Sequence, residues 1–285
     1  MYTRPIDGSE CRSSLMNDPI QEYFKAVENL IKAEQWEELI EQSTAPLAEA
    51  KEVKRHADAA KIYVQRTSAF FKLGKYAEAL ESTLCCDALF NDFENPLLTI
   101  HALYLKSAVY RALAGQSQIE EEQQKSYRQA IETAESALNV YVEEKIKNEK
   151  LLGKVYFNLG AAHADNPKGD LQDAVLCYQT ALKCFEISDS LEDKTRTHVR
   201  MGKIYLLRNE YEALKSLIQE ARVNLLPERL TMHIDYLEAQ CLIAVHDDDN
   251  AERMIKSGLA RAVILHAEED QRRFNSLLIK VHEKL

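Results

Sequence analysis

The chain is poor in the residues that interrupt regular structure. Its 285 residues include 8 Gly, 6 Pro and a single Trp. With 46% apolar residues beside that scarcity, collagen-like, low-complexity and disordered chains are excluded, and turn-rich sandwiches and barrels are disfavoured. No uncharged run approaches the roughly 18 to 20 residues that cross a bilayer. The first ten residues carry Arg4, Asp7 and Glu10 and lack the apolar core of a cleaved signal, so no membrane insertion is expected. Also missing are Gly-x-Gly-x-x-Gly, Gly-x4-Gly-Lys-Ser/Thr and His-Glu-x-x-His, and the glycines are too dispersed to cradle a phosphate.

What is present favours helix. Ala, Glu, Leu and Lys dominate most of the chain, and no stretch alternates with period two over a strand's length. The formal charge of −10 repels nucleic acid backbones and anionic membranes, so no nucleic acid partner is expected. Cys11, Cys85, Cys86, Cys177, Cys184 and Cys241 sit mostly on apolar faces, which reads as free thiols in a reducing, cytoplasmic setting. The vicinal pair Cys85–Cys86 and the spaced pair Cys177 and Cys184 lack a neighbouring His motif and read as small packing residues, so neither metal nor cofactor is expected. His163 and His198 fall where helices pack, and no nucleophile partners them. Catalysis is not expected.

Residues 1–17 hold Pro5, Gly8, Ser9, Ser13 and Ser14 without periodicity and read as a flexible leader. From Asp18 the pattern changes. Asp18 and Pro19 make a cap followed by a first-turn proline, and Ile20, Tyr23, Phe24, Val27, Leu30 and Ile31 follow at helical spacing. The same grammar predicts thirteen helices, at 19–34, 36–50, 57–73, 75–90, 96–114, 120–145, 148–165, 170–188, 191–208, 210–224, 227–245, 248–265 and 267–284. Asn95–Pro96, Ser190 and Asp247 or Asp248 supply further starts. The polar stretch between Arg111 and Tyr127 reads as a helix extension, since it has strong helix formers and no breaker after Gly115.

The helices repeat. Short turns recur at Gln35–Trp36, Lys75–Tyr76, Asp170–Leu171, Glu210–Tyr211 and, in shortened form, Asp248–Asp249. The small or apolar residue after each turn, with Ala130 supplying the remaining unit, marks the series Leu39, Ala79, Ala130, Ala174, Leu214 and Ala251, whose steps are 40, 51, 44, 40 and 37. Tyr156, Leu159, Gly160, Ala174, Tyr178 and Ala181 then follow in an order that resembles a tetratricopeptide repeat (TPR). A second copy reads Gly202, Tyr205, Tyr211, Leu214, Ile218 and Ala221, and a third Phe70, Gly74, Tyr76, Ala79, Thr83 and Cys86. Weaker copies begin at Tyr23 and Tyr236.

The repeats run longer than the family's usual 34 residues, and in that respect they resemble those of bacterial signalling regulators and some cytoskeletal adaptors. The resemblance implies an all-α, right-handed superhelix of about six TPR-like hairpins over 18–266, with 267–285 as a capping helix. It implies a non-catalytic protein–protein interaction scaffold that binds a protein or peptide in its concave groove. The alternative is a regulator acting on a signalling or phosphotransfer partner.

One charge pattern stands out in this acidic chain. Arg196, Arg200 and Lys203 form a stripe on one predicted helix, and Lys154 and Asn158 occupy the equivalent face of the preceding repeat. In chaperone-adaptor members of the family, an Asn and two basic residues four apart clamp a carboxylate, and Asn158, Arg196 and Arg200 fit those places. The preceding repeat offers Tyr104, Leu105 and Ala108 where that clamp has a Lys and an Asn. The five residues are therefore expected either to bind an acidic or carboxylate-terminated peptide or to form a solvated face offsetting Glu192 and Asp193.

Overall fold

The structure, a computed structural model, describes residues 18–223 and 226–283. The expected leader, 1–17, lies outside the described residues. Among these residues every regular element is an α-helix, fourteen in all. They fall into two compact units, which divide between Asn95 and Pro96.

The first unit holds α1 (Pro19–Lys32), α2 (Trp36–Gln42), α3 (Thr44–Glu52), α4 (His56–Lys72) and α5 (Tyr76–Leu89). Asp18 caps α1 as expected, accepting from the N–H of Ile20 at 3.0 Å. The single helix expected over 36–50 is two. Pro46 has no N–H for the carbonyl of Gln42 and its ring crowds that oxygen, so the chain breaks at Ser43. The Ser43 hydroxyl donates to the Ile40 carbonyl at 2.6 Å and accepts from Arg66 at 2.8 Å, which fixes the corner.

The second unit holds α6 (Pro96–Gln116), α7 (Glu120–Glu143), α8 (Glu149–Asp165), α9 (Leu171–Ile187), α10 (Leu191–Leu207), α11 (Tyr211–Arg222), α12 (Glu228–Ala244), α13 (Asp248–Ile264) and α14 (Glu268–His282). The stretch after Arg111 is a helix extension, α6 reaching Gln116 and α7 starting at Glu120. Ser190 precedes α10 as expected, but its hydroxyl donates to the Asp193 carboxylate at 2.8 Å instead of accepting from the helix.

All six repeat markers are buried without residual exposure: Leu39, Ala79, Ala130, Ala174, Leu214 and Ala251. Five of them lie in the first turn or so of the second helix of a pair and Ala130 lies midway along the longer α7, each where a small or branched side chain sets the approach of the two helices. Gly160 serves the same contact from the other side. A Cβ there would stand 3.0 Å from the ring of the fully buried Tyr178.

Most connections share one backbone geometry. Glu34, Lys54, Gly74, Lys145, Asp189, Asn209, His246 and His266 adopt positive φ, and all but Gly74 carry a Cβ. The residue after each donates to the carbonyl five back, as Gln35 does to Leu30, Ser190 to Phe185 and Ala267 to Ala262, each at 2.8 to 2.9 Å. This closes the exposed carbonyls of the finished helix, and except after Lys145 the next helix begins two residues on. The turns thus do without the glycine and proline that the composition lacks.

In the second unit α6, α8, α10, α12 and α14 pack in succession, each on the next, whereas α7, α9, α11 and α13 pack on the first helices and not on one another. First helices closer together than second helices make a curved stack, with the first helices on its inner side.

Candidate functional site

The inner face carries the charge pattern. Each first helix of the second unit has a small buried residue at its crossing point: Ser107 on α6, Gly160 on α8, Gly202 on α10 and Ala239 on α12. Six residues before each stands a basic side chain, namely His101, Lys154, Arg196 and His233. One register on four successive helices therefore holds a ladder of basic groups in a chain of net charge −10.

The first three rungs feel one another, and His233 feels instead the charges of its own helix, α10 and α14. Burial pushes the His101 pKa down to about 4, and the Lys154 ammonium pushes the same way. Lys154 is lowered by burial, and further by Lys150 and Arg196, while Asp193 and Glu192 oppose. His233 is lowered by burial and by Arg229, Lys203 and Arg273, against Asp270. Burial is the leading cause throughout, because a charge set among packed helices loses water. An opposite charge beside such groups would favour their protonated forms, against the burial and crowding that lower them.

The five residues expected to bind divide into three groups. Lys154 and Lys203 are cations on the inner face with lowered pKa values, Lys203 through burial and then its neighbours Arg200 and Arg273. Arg196 is exposed and paired with Glu192 and, at 4.0 Å, with Asp193. Arg200 and Asn158 are engaged within the chain. Arg200 donates to Asp165 at 3.1 Å, and Arg111 holds the other oxygen of that carboxylate. Asn158 is buried, and its amide donates to the Lys154 carbonyl at 2.9 Å.

Sequence reasoning missed His101, His233, Arg111 and Asp165. The two histidines were there to be found by counting back six from each small crossing residue. Nothing in local spacing announces the bridge of Asp165, which joins residues 54 and 35 positions away.

The ladder runs into a cavity of about 440 Å3 between α10, α12 and α14. Met232, Leu237 and Phe274 are among its lining residues and are fully buried. Lys203, His233, Asp270 and Arg273 contribute the charged part of the wall. Among the described residues no group of three or more His, Cys, Asp and Glu is placed to hold a metal ion. No described helix is long and apolar enough to cross a membrane. Cys86, Cys184 and Cys241 are buried, and burial pushes all three thiols up, which leaves them unreactive.

No protein-family model matches the chain, and no curated protein matches it. Among solved structures it is similar to BtubC (BKLC) from P. vanneervenii, with a TM-score of 0.60 and 15% identity over 81% of this chain and 92% of that one. It is similar to the apo form of RapI, with a TM-score of 0.61 and 12% identity over 93% of this chain and 98% of that one. The apo form of the quorum sensor NprR from B. thuringiensis follows at 0.59 and 11% identity, over 92% of this chain and 74% of that one. At such identities the likeness is one of fold.

Proposed function

On this fold, a helical repeat of the tetratricopeptide type, we propose a non-catalytic interaction module whose inner face binds an acidic peptide segment of a partner protein. The basic ladder carries the reading. Lys154 and Arg196 are cations at one register of an acidic chain, and the flanking His101 and His233, whose protons burial disfavours, can regain them beside a carboxylate. Packed helices stand roughly 8–10 Å apart, and a peptide in the polyproline II conformation advances about 3.1 Å per residue with three residues per turn, so that every third side chain shares a face. A carboxylate at every third residue therefore stays in step with successive rungs.

Lys154, Arg196 and Lys203 contact the ligand in this reading. Arg200 stands ready behind Asp165, and Asn158 belongs to the wall. The apolar recess beside the ladder suits a polypeptide better than a nucleic acid backbone.

The second reading is a regulator that switches a signalling partner, and a solved neighbour of the same fold is described as a quorum sensor. Both readings share the groove, and they differ in whether occupancy changes the affinity for a second protein.

Calorimetric titration of the full chain tests the shared part. The probe is a synthetic peptide with Glu at every third position, compared with one of equal composition whose Glu residues are clustered. The double variant Lys154→Ala/Arg196→Ala should bind the spaced peptide roughly 10- to 100-fold more weakly than wild type at low salt, the scale of one or two shielded charge-assisted contacts. Equal affinity would overturn the reading.

A further inference from the structure

The cavity beside the ladder is larger than charge recognition needs. A dry apolar cavity of roughly 150 Å3 admits a benzene molecule, and this one measures about 440 Å3. Its floor is the fully buried Met232, Leu237 and Phe274, and its lip is Leu207, which is 72% exposed. A second recess of about 270 Å3 adjoins it and shares Leu206 and Gln240.

Phe274 is the side chain that seats α14 beside the opening. Its ring packs against Gly258 of α13 and edge-on to Tyr236, at 5.3 Å between centroids. That seat holds α14 against α13 and α12, and the cavity lies on its side toward α10.

The polar part of the wall decides what kind of molecule fits. Lys203, His233 and Arg273 share the wall with one carboxylate, Asp270, which pairs with Arg273 at 3.4 Å and leaves Lys203 as the cation of the lining without an ion pair to it. Arg273 is also paired with Glu269 at 2.8 Å, outside the cavity. Lys280 and His246 stand in the adjoining recess. An apolar floor under a cationic rim is complementary to a bulky apolar side chain flanked by carboxylates.

We propose that the cavity between α10, α12 and α14 is the anchor pocket for a large apolar side chain of the acidic peptide that the ladder binds. The inference rests on the reading of the ladder and adds to it a determinant of specificity. The ladder sets the path of the peptide and its spacing of acids, whereas the pocket selects one residue within it. The lowered pKa of His233 fits, because a neighbouring carboxylate would restore the proton that burial and the surrounding cations remove.

The test uses two short acidic peptides of identical Asp, Glu and Gly content, one with a single Phe and one with Ala in its place. Fluorescence anisotropy with the full chain is expected to show the Phe peptide binding about tenfold or more tightly to wild type. Gln240→Trp, which fills the pocket from a half-buried position, should abolish that preference and leave the Ala peptide's affinity unchanged. Leu207→Ser, at an exposed lip, should reduce the preference without lowering the melting temperature, and so guards against a folding failure of the first variant. If both peptides bind wild type equally, the pocket inference falls and the ladder reading stands. If neither binds, both fall. A preference that survives in both variants places the anchor elsewhere and overturns the proposal.

Discussion

Arg200 of α10 rests on Asp165 of α8, Nη1 to Oδ1 at 3.1 Å, so the arginine that helical spacing assigns to a ligand already has a carboxylate from the neighbouring helix. Asp165 also holds Arg111, whose Nε is buried without a hydrogen-bond partner. The bridge ties α6, α8 and α10 along the inner face. Asp165→Asn should lower stability by about 1–3 kcal/mol, because Arg111 keeps its burial and loses its counter-charge. The same change frees Arg200 and should tighten binding of an acidic peptide several-fold. Thermal unfolding and titration of the one variant check both halves, and a stability loss with unchanged binding would show that Arg200 takes no part in recognition.

Glycine at a helix crossing gives a second expectation. A Cβ on Gly258 would fall inside the Phe274 ring, and one on Gly160 would crowd Tyr178 at 3.0 Å. Gly258→Ala and Gly160→Leu should each cost about 1–3 kcal/mol by overpacking. Chemical denaturation measures it. Pairing Gly258→Ala with Phe274→Leu should recover part of the loss, which separates crowding from a change in helix propensity.

The left-handed turns predict changes of opposite sign. Lys145 has φ of 51° and Asn209 has φ of 57°, with a Cβ in a region that glycine occupies freely. Lys145→Gly should therefore raise stability by about 0.5–1 kcal/mol, less whatever glycine adds to the freedom of the unfolded chain. Gly74→Ala, at φ of 72°, should lower it by a similar amount. Denaturant midpoints of the two variants test the pair.

Acid should loosen the fold through its histidines. In the folded chain His101 titrates at about 4, below the ordinary 6.5, so between those values the unfolded state takes up protons that the native state refuses. Its contribution is full above pH 6.5 and is lost as the pH falls toward 4. His198, 2% exposed, is lowered by burial and by Lys194, with Glu220 opposing, and acts in the same direction. Denaturant midpoints at pH 7.5 and 5 should fall further for wild type than for His101→Phe, and equal falls would remove His101 from the account.

Asp235 offers the strongest single electrostatic test. It is 1% exposed and held at 2.6 Å by both Arg222 and Arg261, from the helices on either side of its own in the chain. Asp235→Ala leaves two guanidiniums facing one another and should cost about 3 kcal/mol or more. Loss of cooperative unfolding between 211 and 264 in hydrogen exchange would locate the damage.

The helices were legible because each alternates apolar and polar faces at its own period, and that signal is local. The break at Ser43 was not read, since Pro46 and Ser43 signal only when the Gln42 carbonyl and the Arg66 side chain are placed beside them. Lys154, Arg196 and Lys203 were visible as spacing within single helices. His101 and His233 required the register between helices, which the variable repeat length hides until the small crossing residues are aligned. Asp165 and Asp235 look in sequence like ordinary helical acids. Only the fold brings two arginines to each.

The repeated left-handed turn has a geometric meaning. At Asn209, His246 and His266 one residue separates the C-cap of a helix from the N-cap of the next. Helices joined so tightly leave little slack in the connection, so the turn itself fixes the angle at which each linked pair meets. Through His246 and His266 the pairs α12–α13 and α13–α14 share a helix, with α13 on the outer side and Met232, Tyr236 and Phe274 on the inner.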